Sequence, residues 1–433
     1  MSRLFNFLSK KDIKSAAAGS VVIKFGSAFF AFLNAVLLAR YMSVADLGYY
    51  VLVFTTMTIL SVPGTMGLPN LLTRYISKYQ VTNDQGLIKG LLIKSNQFVL
   101  FSTLAIYVLA AITYFFWWGN YEAAIVETLL YGFILVPILG LSALRASALR
   151  GLKLVILAEL PDTLLRNLWF TLLILAAVVF NFELTPTVAI IYQIIAAGFS
   201  FLLGFIFLNR KLLRKLKQVT PEFSTKEWKR ETIPFSINSG IQIVRSKLLN
   251  YILAIFGSLE AVAIFDVAVR GASLVAFTLN ALNSAISPFV SAAFELKDIN
   301  SLQRILKKTG RMIFLFSLPV ALIFIFGGKG LVIFVFGEAY DTSYVPLVIL
   351  CIGQLVSSMV GSVGLLLNMT GNQKILSNSN IQMLILHVIF SIPLVIYFDV
   401  IGAAVIYSGL HILQNLLLLR YVRKHLKINT AII

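Results

Sequence analysis

Twelve stretches of seventeen or more mostly apolar residues follow one another along this chain, over 17–42, 46–69, 91–117, 122–148, 154–180, 185–208, 232–256, 261–292, 310–326, 346–369, 375–397 and 401–420. A helix needs about 20 such residues to cross the hydrocarbon core of a bilayer. Lipid offers the backbone no hydrogen-bond partner, so each stretch must be helical. The expected fold is an all-α polytopic membrane protein of about 12 transmembrane helices. Only 12% of the 433 residues are charged and 59% are hydrophobic, where a soluble protein carries roughly 25% charged residues. No connection is long enough for a sizeable soluble domain.

Residues 1–16 carry Arg3, Lys10, Lys11 and Lys14 ahead of an apolar run, as a signal peptide would. That run continues to Met42 without a small-residue cleavage site and reads as the first span. Residues 327–344 (GGKGLVIFVFGEAYDTSY) are apolar but short and Gly-broken, and are expected to lie along the interface. The single Cys351 lies inside a span, so no intrachain disulfide can form.

One long polar stretch, 209–231, divides the spans six and six, with eight Lys or Arg and Pro221 at its middle. It reads as a water-exposed cytoplasmic linker at a membrane face. The expected organisation is an N-terminal six-helix bundle (1–208), the linker (209–231) and a C-terminal six-helix bundle with a tail (232–433).

Counted by side, the connections hold 29 Lys and Arg on the side of both termini and the linker. The opposite connections hold only Arg40 and Lys329, with acids such as Asp46, Glu122, Glu183, Glu260, Glu338 and Asp399. The positive-inside rule puts both termini and the linker in the cytoplasm. The net charge of +18 is thus mostly topology, and no nucleic-acid partner is expected.

The halves repeat. A shift of 215 residues lays 85–101 (QGLIKGLLIKSNQFVLF) on 300–316 (NSLQRILKKTGRMIFLF), and 39–50 (ARYMSVADLGYY) on 254–265 (AIFGSLEAVAIF), matching Ser43 to Ser258. Further on, Leu149, Gly151 and Lys153 answer to Met369, Gly371 and Gln373 at a shift of 220. With six spans each, the repeats share one orientation about an axis along the membrane normal.

An ionisable side chain at mid-bilayer costs roughly 2.5–3.5 kcal/mol on insertion scales, so it faces a bundle interior or a wet cavity. Lys24, Arg166, Lys247 and Arg270 lie within spans, with Arg245 close by. Helical spacing gathers Ser20, Lys24, Ser27 and Asn34 on the first span, and Glu159, Asp162 and Arg166 on the fifth. It does the same for Asn238, Gln242 and Arg245 on the seventh, and for Asp266, Arg270, Ser273, Asn280 and Ser284 on the eighth. Gln354, Ser358, Gly361 and Asn368 share a face of the tenth span, and Ser408, His411 and Asn415 one of the twelfth. Asp162–Arg166 and Asp266–Arg270 are each spaced as i,i+4 pairs. A wet chamber between bundles would explain these polar faces; helix-to-helix hydrogen bonds are the other account. His387 and His411 read as packing residues rather than metal ligands.

No H-E-x-x-H, G-x-S-x-G, Walker A or paired-Cys spacing occurs. The chain is expected to be neither an enzyme nor the holder of a metal or cofactor.

Several stretches have a familiar character: VVIKFGSAFFAFLNAVLLARYMSVADLGYYVL (21–52), PFSINSGIQIV, VAIFDVAVRGASLVAFTLNALNSAISPFVSAAF (262–294), LVIFVFGEAY and VIGAAVIYSGL (400–410). They resemble the polysaccharide-export branch of the multidrug/oligosaccharidyl-lipid/polysaccharide (MOP) transporter superfamily, the Wzx-type flippases of lipid-linked oligosaccharides. The resemblance implies two six-helix bundles around a central cavity that opens alternately to the two membrane faces. Related lipid II flippases hold an anionic headgroup with cations on the first and eighth helices, and Lys24 and Arg270 occupy the comparable spans here. One departure is that the branch commonly carries an acid before the outer half of the seventh span, where this chain reads Arg245, Ser246, Lys247.

The resulting expectation is a flippase of a polyprenyl-diphosphate-linked oligosaccharide, an O-antigen or capsule repeat unit, in a bacterial plasma membrane. Lys24, Arg166, Arg245, Lys247 and Arg270 would neutralise the diphosphate or acidic sugars, because a buried cation attracts an anion more strongly than one in water. Asn34, Gln242, Asn280 and Asn283 would contact hydroxyls, and Glu159, Asp162 or Asp266 could carry a coupling proton. Expected partners are the lipid-linked cargo and membrane lipids, with a polysaccharide polymerase and a chain-length regulator. The alternatives are a cation-coupled multidrug antiporter of the same superfamily, which would line its cavity with acids, and a membrane-embedded polymerase or ligase.

Overall fold

The structure, a computed structural model, describes residues 10–65, 67–117 and 123–431, with the side chains of these apart from 10–18, 117, 231, 233–235, 237–239, 285, 288 and 292. Arg3 and Glu122, and the side chains of Lys10, Lys11, Lys14, Glu231 and Asn238, lie outside this set.

The described chain is helical, in the order α1 (Lys10–Tyr41), α2 (Val44–Thr65), α3 (Leu68–Thr82), α4 (Gln85–Trp117), α5 (Ala123–Phe133), α6 (Leu135–Gly151) and α7 (Val155–Glu159). A π-helical turn, Leu160–Leu165, leads into α8 (Arg166–Val179), followed by α9 (Pro186–Leu208), α10 (Thr225–Phe256), α11 (Leu259–Glu295) and α12 (Ile299–Phe326). Then come α13 (Gly328–Phe336), a 3₁₀ turn (Glu338–Ser343), α14 (Tyr344–Val360), α15 (Val363–Met369) and α16 (Gln373–His425).

Ten helical segments among the described residues are long and apolar enough to cross a membrane. The last, α16, has 53 residues, some 80 Å of helix at about 1.5 Å per residue. That is more than twice the thickness of the hydrocarbon core. It is in fact a hairpin, bent at Asp399 (φ 47°, ψ −129°), which lets Gln414 Nε2 donate to Asn380 Oδ1 at 2.8 Å across 34 residues. The expected eleventh and twelfth spans are its two arms. The expected seventh, α10, is 32 residues long but is not among the ten; it carries Lys226, Glu227, Lys229, Arg230, Arg245 and Lys247. Residues 327–344 become the nine-residue α13 and the 3₁₀ turn. At about 1.5 Å per residue, α13 is too short to span.

The repeat shows in the caps. The Asp46 amide donates to Ser43 Oγ at 3.1 Å, and the Ala261 amide to Ser258 Oγ at 3.1 Å, so residues matched by the 215-residue shift start α2 and α11 in the same way. The halves differ just beyond. In the first, the helix breaks at Gly67 (φ 70°) and restarts as α3, while α11 runs unbroken to Glu295.

Contacts divide the chain into two units. The first includes Val22–Asn34 and Tyr50–Lys247; the second includes Ile13–Val21, Ala35–Tyr49 and the chain from Leu248 onward. These bounds differ from a simple division at the linker, because the first two helices and α10 each contribute to both.

In the first unit, α3 lies where a basic connection was expected. It is amphipathic, and Leu71, Leu72, Tyr75, Ile76 and Tyr79 are buried against α4 and α6. The linker is not simply solvated either. Leu212, Leu216 and Trp228 join the same core, Lys89 Nζ donates to the carbonyl of Val219 at 2.7 Å, and the Glu222 amide donates to the Gly86 carbonyl at 3.0 Å. The linker backbone passes so close to α4 that a Cβ at Gly90 would overlap the Glu222 carbonyl. In the second unit, Val290, Leu302, Leu306, Val363, Leu366 and Val422 form a core that also takes Ile428 of the C-terminal tail.

Candidate functional site

In the first unit the polar residues of the first and fifth spans meet. Asn34, 4% exposed, donates Nδ2 to the Asn167 carbonyl at 3.1 Å and accepts from Thr171 Oγ1 at 2.7 Å. Asn167 Nδ2 donates to Ser27 Oγ at 3.1 Å. The α1 stripe therefore zips α1 to α8 through Ser27 and Asn34, and the Asn34 amide is engaged on both ends. Lys24, on the same stripe, is half-buried.

The fifth span departs from regular helix. Pro161 has no N–H to give to Leu157, and the ladder widens, with the Arg166 amide donating to the Pro161 carbonyl five residues back. The expected Asp162–Arg166 pair is replaced: Asp162 Oδ2 accepts from Nη2 of Arg145 on α6. Arg166 is half-buried and still lies within range of the Asp162 charge and of Tyr50. Arg145 Nη1 also donates to the carbonyls of Ser200 and Phe201 at 2.9 and 3.0 Å. Arg150, one turn and a half further along α6, donates Nη2 to Ser147 Oγ at 2.8 Å within range of Glu159 and Asp162.

Arg145 and Arg150 count by sequence among the basic residues of a connection; here Arg145 is 4% exposed and Arg150 half-buried. The available signal is that 122–148 already contained Arg145, and that Gly204 on α9 offers a bare surface for a guanidinium. Also missed is the Gln193 Nε2 to Tyr50 OH hydrogen bond of 2.9 Å, with Tyr50 stacked on Phe170.

In the second unit, Arg270 Nε donates to Asp266 Oδ2 one turn back on α11, as the spacing predicts. Asp266 also lies near the buried Tyr340 of the 3₁₀ turn. Further along the same helix, Ser273 and Asn280 line a cavity of about 310 Å³ with Gln354 of α14 and with Tyr407 and His411 of α16. Polar faces of the eighth, tenth and twelfth spans thus converge. Tyr407 stacks on His411 at 6.5 Å and meets His387 edge-on at 6.3 Å. Asn283, on the expected sugar-binding set, instead accepts from Ser362 Oγ and joins α11 to the segment before α15.

Of the α10 residues, Gln242 is exposed, and Arg245 and Lys247 are half-buried. Two residues apart on a helix, Arg245 and Lys247 point in different directions.

Residues 17–294 match the family described as polysaccharide biosynthesis protein. No curated protein sequence matches the chain. Among solved structures it is similar to an inward-facing multidrug resistance MATE family transporter of the MOP superfamily, at 14% identity and TM-score 0.75, over 94% of this chain and 98% of that one. It is similar to the lipid II flippase MurJ in an inward closed conformation, at 16% identity and TM-score 0.69, over 93% and 87% of the two chains. A MOP superfamily transporter from Pyrococcus furiosus, described as having a binding pocket of reversed polarity, matches at 15% identity and TM-score 0.65, over 96% of each chain.

Proposed function

The chain belongs to the polysaccharide biosynthesis protein family, and from that premise we propose that it flips a polyprenyl-diphosphate-linked oligosaccharide, an O-antigen or capsule repeat unit. Transport runs from the cytoplasmic to the outer leaflet of a bacterial plasma membrane by alternating access, with both termini cytoplasmic. The observation that carries this reading is the charge balance inside the helices. Lys24, Arg145, Arg150, Arg166, Arg245, Lys247 and Arg270 stand against Glu127, Glu159, Asp162 and Asp266, an excess of cations that suits an anionic passenger.

Lys24 and Arg270, helped by Arg166, Arg245 and Lys247, neutralise the diphosphate or acidic sugars. A cation held in a dry setting attracts a diphosphate more strongly than one in water, and a guanidinium adds two parallel hydrogen bonds. Arg270 does so in exchange for Asp266, which is then free to take up a proton; Glu159 and Asp162 are the other candidates for coupling. The polar cavity wall of Ser273, Asn280, Gln354 and His411 offers donors and acceptors to sugar hydroxyls, with Tyr407 as a ring for a sugar face. Gln242, exposed on α10, serves the same end. Asn34 and Asn283 contribute by holding their helices together.

The test is export in cells whose only copy of the gene encodes Lys24→Ala or Arg270→Ala, with protein level monitored. Surface polymer should disappear and lipid-linked repeat unit should accumulate on the inner leaflet. Normal polymer from both variants sinks the assignment. A second reading, a cation-coupled multidrug antiporter, is favoured by the likeness to a MATE transporter fold. Under that reading the same variants would lose drug resistance and keep their polymer.

A further inference from the structure

The first unit holds a second cavity, of about 360 Å³, between α3, α4 and the start of α10. Its volume is within the range of roughly 300–1,000 Å³ found for ligand pockets. Its wall is chemically two-part. Leu91, Phe98 and Trp228 make the interior apolar, while Lys94 and Lys229 stand at the lining with exposed side chains. Lys94 is held in place, its Nζ 5.4 Å from the centre of the Phe223 ring in the linker.

One hydroxyl stands out in this wall. Ser95, 1% exposed, lines the cavity and its Oγ has no hydrogen-bond partner among the described residues. A helical serine ordinarily satisfies itself on the carbonyl four residues back, as Ser102 does on Phe98 at 2.7 Å. A buried hydroxyl without a partner loses its hydration, which a ligand atom or water can restore.

We propose that this cavity seats an anionic phospholipid, one acyl chain lying against Leu91, Phe98 and Trp228 and the phosphate held by Lys94 and Lys229, with Ser95 donating to an ester oxygen. Charge selects this occupant. Two exposed lysines lining an apolar pocket beside the candidate membrane helix α4 complement a headgroup phosphate. Inorganic phosphate gains nothing from the apolar interior, and a zwitterionic lipid carries its own cation to the lysines. The site also ties together chain segments far apart in sequence, because Lys229 and Trp228 follow the linker and Lys94 and Ser95 belong to α4. Lipid bound here stabilises the docking of the linker on the first unit.

Full-length protein in neutral detergent, titrated with phosphatidylglycerol or phosphatidylcholine and read by native mass spectrometry, tests the site. Wild type should retain phosphatidylglycerol at least tenfold more tightly than phosphatidylcholine, and a millimolar excess of inorganic phosphate should not displace it. Lys94→Gln with Lys229→Gln should bring that ratio to twofold or less. Lys226→Gln with Arg230→Gln, exposed neighbours outside the wall, should leave it unchanged. Ser95→Leu, which fills the cavity, should weaken retention of both lipids.

Equal retention of the two lipids by wild type would overturn the proposal. So would an equal loss from the Lys226/Arg230 control, which would mean diffuse attraction to a basic surface. Displacement of phosphatidylglycerol by an equimolar polyprenyl phosphate would assign the pocket to the cargo tail instead. None of these outcomes bears on whether export requires Lys24 and Arg270.

Discussion

Arg145 and Asp162 are joined inside the first unit, Nη2 to Oδ2, with the guanidinium laid over Gly204 of α9. A Cβ at 204 would overlap the guanidinium itself, so any side chain there requires Arg145 to move. The geometry depends on three elements at once: α6 supplies the arginine, the π turn aims the carboxylate, and α9 supplies both the bare surface and two carbonyls. Asp162→Asn leaves a buried guanidinium without its counter-charge, which costs about 3–5 kcal/mol when one partner of a buried pair is removed. Gly204→Ala keeps both charges but displaces one of them, at about 1–3 kcal/mol for overpacking. Both variants should lower the unfolding temperature in detergent, Asp162→Asn more. An unchanged transition for Gly204→Ala would mean that Arg145 lies elsewhere.

Asp266 and Arg270 form the corresponding pair of the second unit, but as near neighbours on one helix with Arg270 a third exposed. Removing Arg270 alone leaves a carboxylate that repels an anionic cargo, whereas removing both leaves a neutral wall. Arg270→Ala should therefore lose all export, and Asp266→Asn with Arg270→Gln should recover a detectable fraction, on the order of a tenth, if the lost attraction is worth about 1.4 kcal/mol per tenfold. Surface polymer per cell, normalised to protein level, is the readout. Full activity of the double variant would make the pair purely structural.

The helical, membrane-spanning character of the chain was legible because membrane insertion imposes length and apolarity directly on sequence. The caps at Ser43 and Ser258 show how closely the 215-residue shift follows the structure. What escaped notice lay at the basic ends. Four cations between residues 70 and 94 read as a solvated connection, although Leu71, Leu72, Tyr75, Ile76 and Tyr79 have the spacing of a buried helix face. There, charge outvoted periodicity. In the site, i,i+4 spacing found Asp266–Arg270 and failed for Asp162–Arg166, because that rule assumes an α-helix and Pro161 widens the turn. Arg145 was missed since its partners, Asp162 and Gly204, lie beyond its own helix and share no local pattern with it, and Tyr407 since His387, which meets it edge-on, sits on the other arm of the α16 hairpin.

The cavity of the second unit presents Gln354 and His411 from different helices. If it receives sugar hydroxyls, the loss on removing the Gln354 amide should appear in transport and leave folding unchanged. Gln354→Leu should reduce polymer export several-fold, about 1 kcal/mol for a neutral hydrogen bond, with an unfolding temperature within about 2 °C of wild type because the two side chains are of similar volume. Asn283→Leu is the contrast. Its amide oxygen accepts from Ser362, so it should lower the unfolding temperature as well as export.

Glu227 fixes the end of the linker to α3. Its carboxylate accepts from Tyr75 OH at 2.8 Å and from Ser224 Oγ at 3.1 Å, and lies 3.4 Å from Lys78 Nζ. The Tyr75 hydrogen bond above all, with help from Ser224 and Lys78, holds its pKa below the ordinary glutamate value. The sign follows from that direction. A carboxylate whose folded pKa is depressed adds stability that is complete above its unfolded value, about 4.3, and is lost as pH falls through the folded value. Lowering pH from 7 to 4 should thus reduce the unfolding temperature of wild type more than that of Glu227→Gln, whose amide does not titrate. The other carboxylates are common to both proteins, so the difference between the two curves isolates this clamp. At pH 7 the variant should be the less stable of the two and the curves should approach each other toward pH 4; parallel curves over the whole range would show that Glu227 does not hold the linker.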